Sequence, residues 1–166
     1  MSADRLALRP FLPADGPALA ALFRASVEEL TGEDYDADQQ EAWASAADDE
    51  EAFAARLAGL LTVVALRAGA VVGFVALKDN SHIELLYVAP EAAGSGVGAA
   101  LCEAAETIAR GRGAKAMTAD ASDTALGFFQ KRGYSAERRN TVMRAGAFLG
   151  NTSVRKPLAA AQGKLQ

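Results

Sequence analysis

The segment Gly94-Ser-Gly-Val-Gly98 constrains this chain more than any other, because it stands between a strand-like run ending at Val88 and a long amphipathic stretch. Glycines ahead of a helix start leave backbone N–H groups unpaired at the positive end of the helix dipole. They also carry no Cβ to hold an anion away from the main chain. The segment therefore reads as a phosphate-binding turn, against the plainer reading of a flexible entry to a helix. It does not by itself name the ligand.

The flanking residues supply the frame. Residues 6–9 predict a short strand, and Pro13-Ala-Asp-Gly-Pro17 starts a helix with Asp15 as N-cap and Pro17 in its first turn. Leu19, Leu22, Phe23, Val27 and Leu30 fall at helical spacing, and Thr31-Gly32 closes that helix. A more polar stretch holding Tyr35 and Trp43 predicts a second short helix over 37–46. The acids Asp48 to Glu51 suit the start of a third, with Phe53, Leu57 and Leu60 on one face. Valine-rich runs at 61–67 and 70–78 around Ala68-Gly69 predict a β-hairpin, and residues 82–88 add a third strand. There Ile83, Leu85 and Tyr87 alternate against Glu84, Leu86 and Val88.

After the glycine segment a helix runs to about Arg112-Gly113, followed by a strand over 114–119, a helix over 122–132, and strands over 134–144 and 147–156. The order implies a mixed sheet with helices on both faces, in the α/β to α+β range. Residues 1–157 form a single domain on this reading, with a loose tail over 158–166.

Composition narrows the function. A chain of 166 residues is long enough to bury a core without staples, and a net charge of -4 argues against a nucleic-acid partner. One cysteine, Cys102, excludes an internal disulfide and leaves too few thiolates for a structural zinc site; it reads as a small buried hydrophobe rather than a nucleophile, and no metal is expected. Charges at Asp4, Arg5 and Arg9 interrupt the start, and no apolar run reaches membrane-spanning length, so the expectation is a cytoplasmic protein without a membrane partner.

Two cofactor classes fit the glycines. Gly94 to Ala99 also satisfies a dinucleotide pattern, with Asp120 at the end of the next strand where a ribose-binding acid is expected. Against this, residues 89–93 separate strand from glycine, whereas a dinucleotide fold turns tightly, and the βαβ unit follows an antiparallel meander.

Two signatures carry a resemblance over most of the chain. Leu85-Leu-Tyr-Val-Ala-Pro90 followed by Glu91-Ala-Ala-Gly-Ser-Gly-Val-Gly-Ala-Ala-Leu101 is similar to the cofactor motif of the GNAT superfamily of N-acetyltransferases. Ser122-Asp-Thr-Ala-Leu-Gly-Phe-Phe-Gln-Lys-Arg-Gly-Tyr134 resembles that family's second signature. The resemblance implies a mostly antiparallel sheet of about seven strands, with a splayed parallel pair holding acetyl-CoA as co-substrate. It implies N-acetyl transfer to a primary amine of a small molecule or peptide by direct attack in a ternary complex.

It also implies site residues. The loop Gly94, Ser95, Gly96, Val97, Gly98 and Ala99 holds the pyrophosphate, and the main chain of Tyr87 and Val88 pairs with the pantetheine arm opposite residues 119–121. Ser122 stands where the family has Asn, either bonding the pantetheine amide or capping the next helix, and Phe129 lines the cofactor. Tyr35 and Trp43 overhang the acceptor pocket or anchor their helix to the core.

The pattern departs from the family at two positions. Ala93 replaces an Arg or Gln, so the loop's grip rests on backbone N–H groups, and Phe129 replaces a tyrosine that serves as general acid. Amine acylation needs a base and a proton donor. Glu84 is the base candidate, because sharing a face with Leu86 and Val88 would give it an apolar setting. His82 is the alternative, and Tyr134 or Tyr87 is left to replace the missing acid. Arg110, Arg112, Lys115, Lys131 and Arg132 are available to a 3′-phosphate or to solvent. The two departures keep open a non-catalytic acyl-CoA-binding module, and the last two strands have the form to pair across a homodimer.

Overall fold

Valine-rich alternation on either side of Ala68 and Gly69 folds into β2 (Leu61–Arg67) and β3 (Ala70–Lys78), antiparallel, with both turn residues at positive φ. In the computed structural model, which describes residues 5–159, β4 (His82–Val88) adds to β3 and β1 (Leu6–Pro10) pairs with the outer edge of β2. Beyond β4 lie β5 (Ala116–Ser122), β7 (Ala147–Pro157) and, at the far edge, β6 (Ser135–Arg144). Among the described residues the sheet has seven strands in the order β1-β2-β3-β4-β5-β7-β6, and only β4 and β5 are parallel. This is the mixed, mostly antiparallel sheet with one parallel pair that the sequence predicts.

Helices cover both faces. Phe23 of α1 (Gly16–Leu30) and Phe53 of α3 (Glu50–Ala58) meet at 5.3 Å between ring centres and pack on Tyr87 and Phe74 respectively. The neighbouring Gly73 points the other way: a Cβ there would lie 2.9 Å from Val97 and 3.0 Å from Leu101 of α4 (Val97–Gly111). Adjacent strand residues face opposite sides, so α1 and α3 lie on one face and α4 on the other. Side chains such as Phe23, Phe53, Leu57, Val97 and Leu101 are fully buried, and each contributes about 1.5–3 kcal/mol of transfer free energy. Between α1 and α3 comes α2 (Ala37–Ala44), whose N-cap Asp36 accepts from the Gln39 N–H. On the α4 side, α5 (Leu126–Lys131) follows β5. Among the described residues no helix is long and apolar enough to cross a membrane.

Several boundaries differ from expectation for local reasons. Asp15 stands at the N-cap position of α1 as expected, but its carboxylate makes no capping bond there; it takes Arg9 at 2.8 and 2.9 Å and the Leu12 N–H at 2.8 Å. The Arg9 guanidinium holds that carboxyl below the usual range, with burial opposing. The strand expected over 114–119 begins later, because the Ala114 N–H closes α4 on the Ala109 carbonyl, and it runs on to Ser122, which pairs with Asn151 of β7. The same pairing keeps Ser122 in the sheet and delays the following helix. Leu158 donates its N–H to Lys115 at 2.8 Å. Residues 160–166, most of the expected tail, lie outside the described residues.

Candidate active site

The parallel pair is joined over a very short length. The register pairs His82 with Thr118 and Ile83 with Ala119 and then stops, although β4 continues to Val88 and β5 to Ser122. Each strand stays paired on its other edge, to Gly73 and to Asn151 respectively, so the two diverge as intact ribbons. The divergence begins at a β-bulge: Ala76 faces Leu85 and Leu77 faces Ile83, leaving Glu84 without an opposite residue. A gap lined by main chain thus opens toward the carboxyl ends of both strands, where open α/β sheets place ligands.

The glycine loop stands at the same end. After a 3-10 turn at Pro90–Ala92, Gly94 and Gly96 have φ of +77° and +92°, a conformation that costs any residue with a Cβ about 1–2 kcal/mol. A Cβ at either position would meet nothing within 4 Å, so the space over the loop is open. Ala93, Ser95 and Ala100 donate to Pro90, Ala92 and Gly96. The amides of Gly94, Gly96, Val97, Gly98 and Ala99 have no main-chain partner among the described residues. Gly98 stands in a tight place instead, since a Cβ would sit 3.3 Å from the Phe128 ring and 3.6 Å from Val88. Ser95, expected among the loop residues that hold the pyrophosphate, accepts from Arg67 at 3.0 Å.

The bulge overturns the setting expected for Glu84. Alternation groups it with Leu86 and Val88, and Val88 does pack toward α4. Glu84 instead reaches Arg56 of α3, on the opposite face, with Nη2 to Oε2 at 3.0 Å and its side chain 30% exposed. The bulge breaks the alternation, and the apolar surroundings are absent. His82 begins β4 on the same face, with Nδ1 2.8 Å from the Thr118 hydroxyl and Nε2 3.9 Å from Glu84. Asp120 lies two residues beyond Thr118 on that face and accepts from the Ser153 hydroxyl at 2.9 Å.

Above these groups lies an aromatic cluster. Trp43 Nε1 donates to the Tyr87 hydroxyl at 3.1 Å, and Tyr87 packs on Phe23 at 4.6 Å and Phe74 at 5.9 Å. Burial pushes the Tyr87 phenol up to about 12, with the Trp43 hydrogen bond pulling the other way. Tyr35, edge-on to Trp43 at 5.2 Å, donates to the Gly150 carbonyl at 2.7 Å and accepts the Asp123 N–H at 2.8 Å. Its phenol is raised chiefly by burial. Tyr35 is thus a strut that fixes the entry to α2 against β7 and the turn after β5, and Trp43 depends on it for position.

Three predicted residues lie elsewhere or act differently. Ser122 Oγ accepts the Ala125 N–H at 3.1 Å within the turn that leads into α5, whose N-cap position is Ala125. Phe129 is buried against Tyr134 and Phe128, and it is Phe128 that touches the glycine loop. Tyr134 donates to buried Glu106 at 2.8 Å; Glu106 also takes Lys156 at 2.9 Å and Cys102 at 3.5 Å. Burial pushes the Tyr134 phenol upward and the Cys102 thiol up to about 11. Of the basic candidates, Arg112 is engaged with Asn80 and Arg110 with Thr107. Arg132 lies over Phe128 at 4.5 Å, its buried Nε without a partner among the described residues.

The family model for the acetyltransferase (GNAT) domain matches residues 31–149. A GCN5-related N-acetyltransferase from Rhodopseudomonas palustris shares 55% identity over 92% of this chain and 95% of its own, with a TM-score of 0.90. The uncharacterized N-acetyltransferase YafP of Escherichia coli is 29% identical over 92% of this chain and 96% of its own. PaiA N-acetyltransferase from Thermoplasma acidophilum, solved with coenzyme A, covers 92% of this chain and 99% of its own at 18% identity and a TM-score of 0.74, a likeness of fold. The dinucleotide alternative gives way to the acetyltransferase family match.

Proposed function

Because the chain belongs to the GNAT acetyltransferase family, we propose that it moves an acetyl group from acetyl-CoA to a primary amine of a small molecule or peptide by direct attack in a ternary complex. One observation carries the reading: the gap between β4 and β5 and the unpaired amides of the glycine loop open at the same end of the parallel pair. A pantetheine arm needs extended main chain beside it, available at Tyr87 and Val88 facing residues 119–121. A pyrophosphate needs convergent N–H donors, available from Gly94 to Ala99. The coenzyme A bound by the Thermoplasma protein supports the same cofactor.

In this reading Glu84, positioned by Arg56, takes a proton from the acceptor amine, with His82 next to it as a relay. The nitrogen lone pair attacks the thioester carbonyl; the C–N bond forms, the C–S bond breaks, and the sulfur leaves as coenzyme A thiolate. Tyr87, not Tyr134, supplies the proton to that sulfur. The Tyr87 oxygen accepts from Trp43 while its own hydrogen has no acceptor among the described residues, and at about 12 it stays protonated at neutral pH. Tyr134 is committed to Glu106. Trp43, braced by Tyr35, roofs the acceptor side, and the reaction is placed in the cytoplasm with the acetyl-CoA it consumes.

Phe129, with no hydroxyl, favours one second reading, a non-catalytic acyl-CoA-binding module. Calorimetry with acetyl-CoA, paired with thiol release over a panel of amines, separates the two. Binding with amine-dependent release supports transfer, and binding without release supports the module. Absence of binding overturns both.

A further inference from the structure

The glycine loop lacks the Arg or Gln side chain that the resembled motif usually carries, since Ala93 stands there. Another strand brings one to the same place. Arg67, the last residue of β2, donates from Nη1 to Ser95 Oγ at 3.0 Å, and Ser95 is held in turn by donating to the Ala92 carbonyl. Arg9, Arg24, Arg56 and Arg139 each pair with a carboxylate, whereas Arg67 has no carboxylate partner among the described residues. Its charge is therefore uncompensated next to five unpaired amides and open space.

Resting on the acetyl-CoA reading above, we infer that Arg67 replaces the missing motif side chain, donating to a non-bridging pyrophosphate oxygen of coenzyme A while one N–H stays on Ser95. A guanidinium has five N–H donors in a planar fork, so it can hold Ser95 and a phosphate oxygen together. The cation reaches the loop from the β2–β3 hairpin instead of from the loop itself. This explains how the turn keeps a charge for the phosphates with alanine at the motif position.

The test uses the full chain and compares coenzyme A with acetyl-pantetheine, a thioester lacking the pyrophosphate. Calorimetry should show the coenzyme A Kd raised about tenfold in Arg67→Ala, the loss of one charge-assisted hydrogen bond, with a weaker salt dependence. The KM for acetyl-pantetheine should stay within twofold. Adding Ala93→Arg to Arg67→Ala should restore coenzyme A affinity, and Ser95→Ala should cost less than Arg67→Ala. A coenzyme A Kd within twofold of the parent in Arg67→Ala, or an equal loss for acetyl-pantetheine, overturns the inference and leaves the acyltransferase reading intact. A parent chain that binds no coenzyme A overturns that reading instead.

Discussion

Replacing Tyr134 by phenylalanine separates a structural tyrosine from a catalytic one. The hydroxyl donates to Glu106 at 2.8 Å, and Glu106 is 6% exposed, shared with Lys156 at 2.9 Å and Cys102 at 3.5 Å. The substitution removes one donor from a buried carboxylate and leaves the charge in place. A hydrogen bond to a charged group contributes about 1.5–3 kcal/mol. Lys156 remains and can close on the carboxylate, so the expected loss is at the low end, about 1.5–2 kcal/mol. Urea unfolding followed by the fluorescence of Trp43, the only tryptophan, should show a lower midpoint at unchanged slope. With a slope of about 1–3 kcal/mol/M, the midpoint falls by roughly 0.5–2 M. Acetyl transfer at neutral pH should keep its kcat within about twofold, because no proton passes through Tyr134. A variant with the parental midpoint, a kcat down about a hundredfold and an altered alkaline limb of the pH–rate profile would refute this reasoning and make Tyr134 the donor.

Three further outcomes follow from the same geometry. Glu84→Gln should lower kcat by about 10²–10⁴-fold and leave acetyl-CoA affinity unchanged, read by steady-state kinetics and calorimetry on one preparation; full turnover would remove Glu84 as the base. Tyr87 and Cys102 are raised by burial to about 12 and about 11 from ordinary values of 10.0 and 9.0. The unfolded chain therefore loses these protons first, and stability holds below about pH 9 and declines through pH 12. Urea midpoints across that range should fall less steeply in Tyr87→Phe, which should also lower kcat about tenfold as the donor is lost. Gly96→Ala forces a Cβ into a φ of +92° beside the open space over the loop. Coenzyme A should bind more than tenfold more weakly while stability falls by only about 1–2 kcal/mol; unchanged affinity would place the phosphates elsewhere.

Much of the architecture is legible along the chain because it depends on neighbours in sequence. Period-two alternation and the Ala68-Gly69 turn mark β2 and β3, which match their expected bounds, and the glycines before Val97 mark the anion-ready turn into α4. The family signatures carry the parallel pair and its gap. The chemistry of individual side chains was less legible, because partners far apart in sequence choose it. Glu84 joins Arg56 and leaves the face of Val88 through a bulge that exists only where β4 meets β3. Ser122 is drawn into the sheet by Asn151 of β7, and Tyr134 is taken by Glu106, which Lys156 shares. Arg67 reaches the loop at Ser95, 28 residues further along the chain. Periodicity and turn chemistry are local properties of the backbone, readable from one stretch at a time. A hydrogen bond or ion pair between distant strands and helices exists only after the sheet has closed and the helices have docked, and no spacing along the chain announces it.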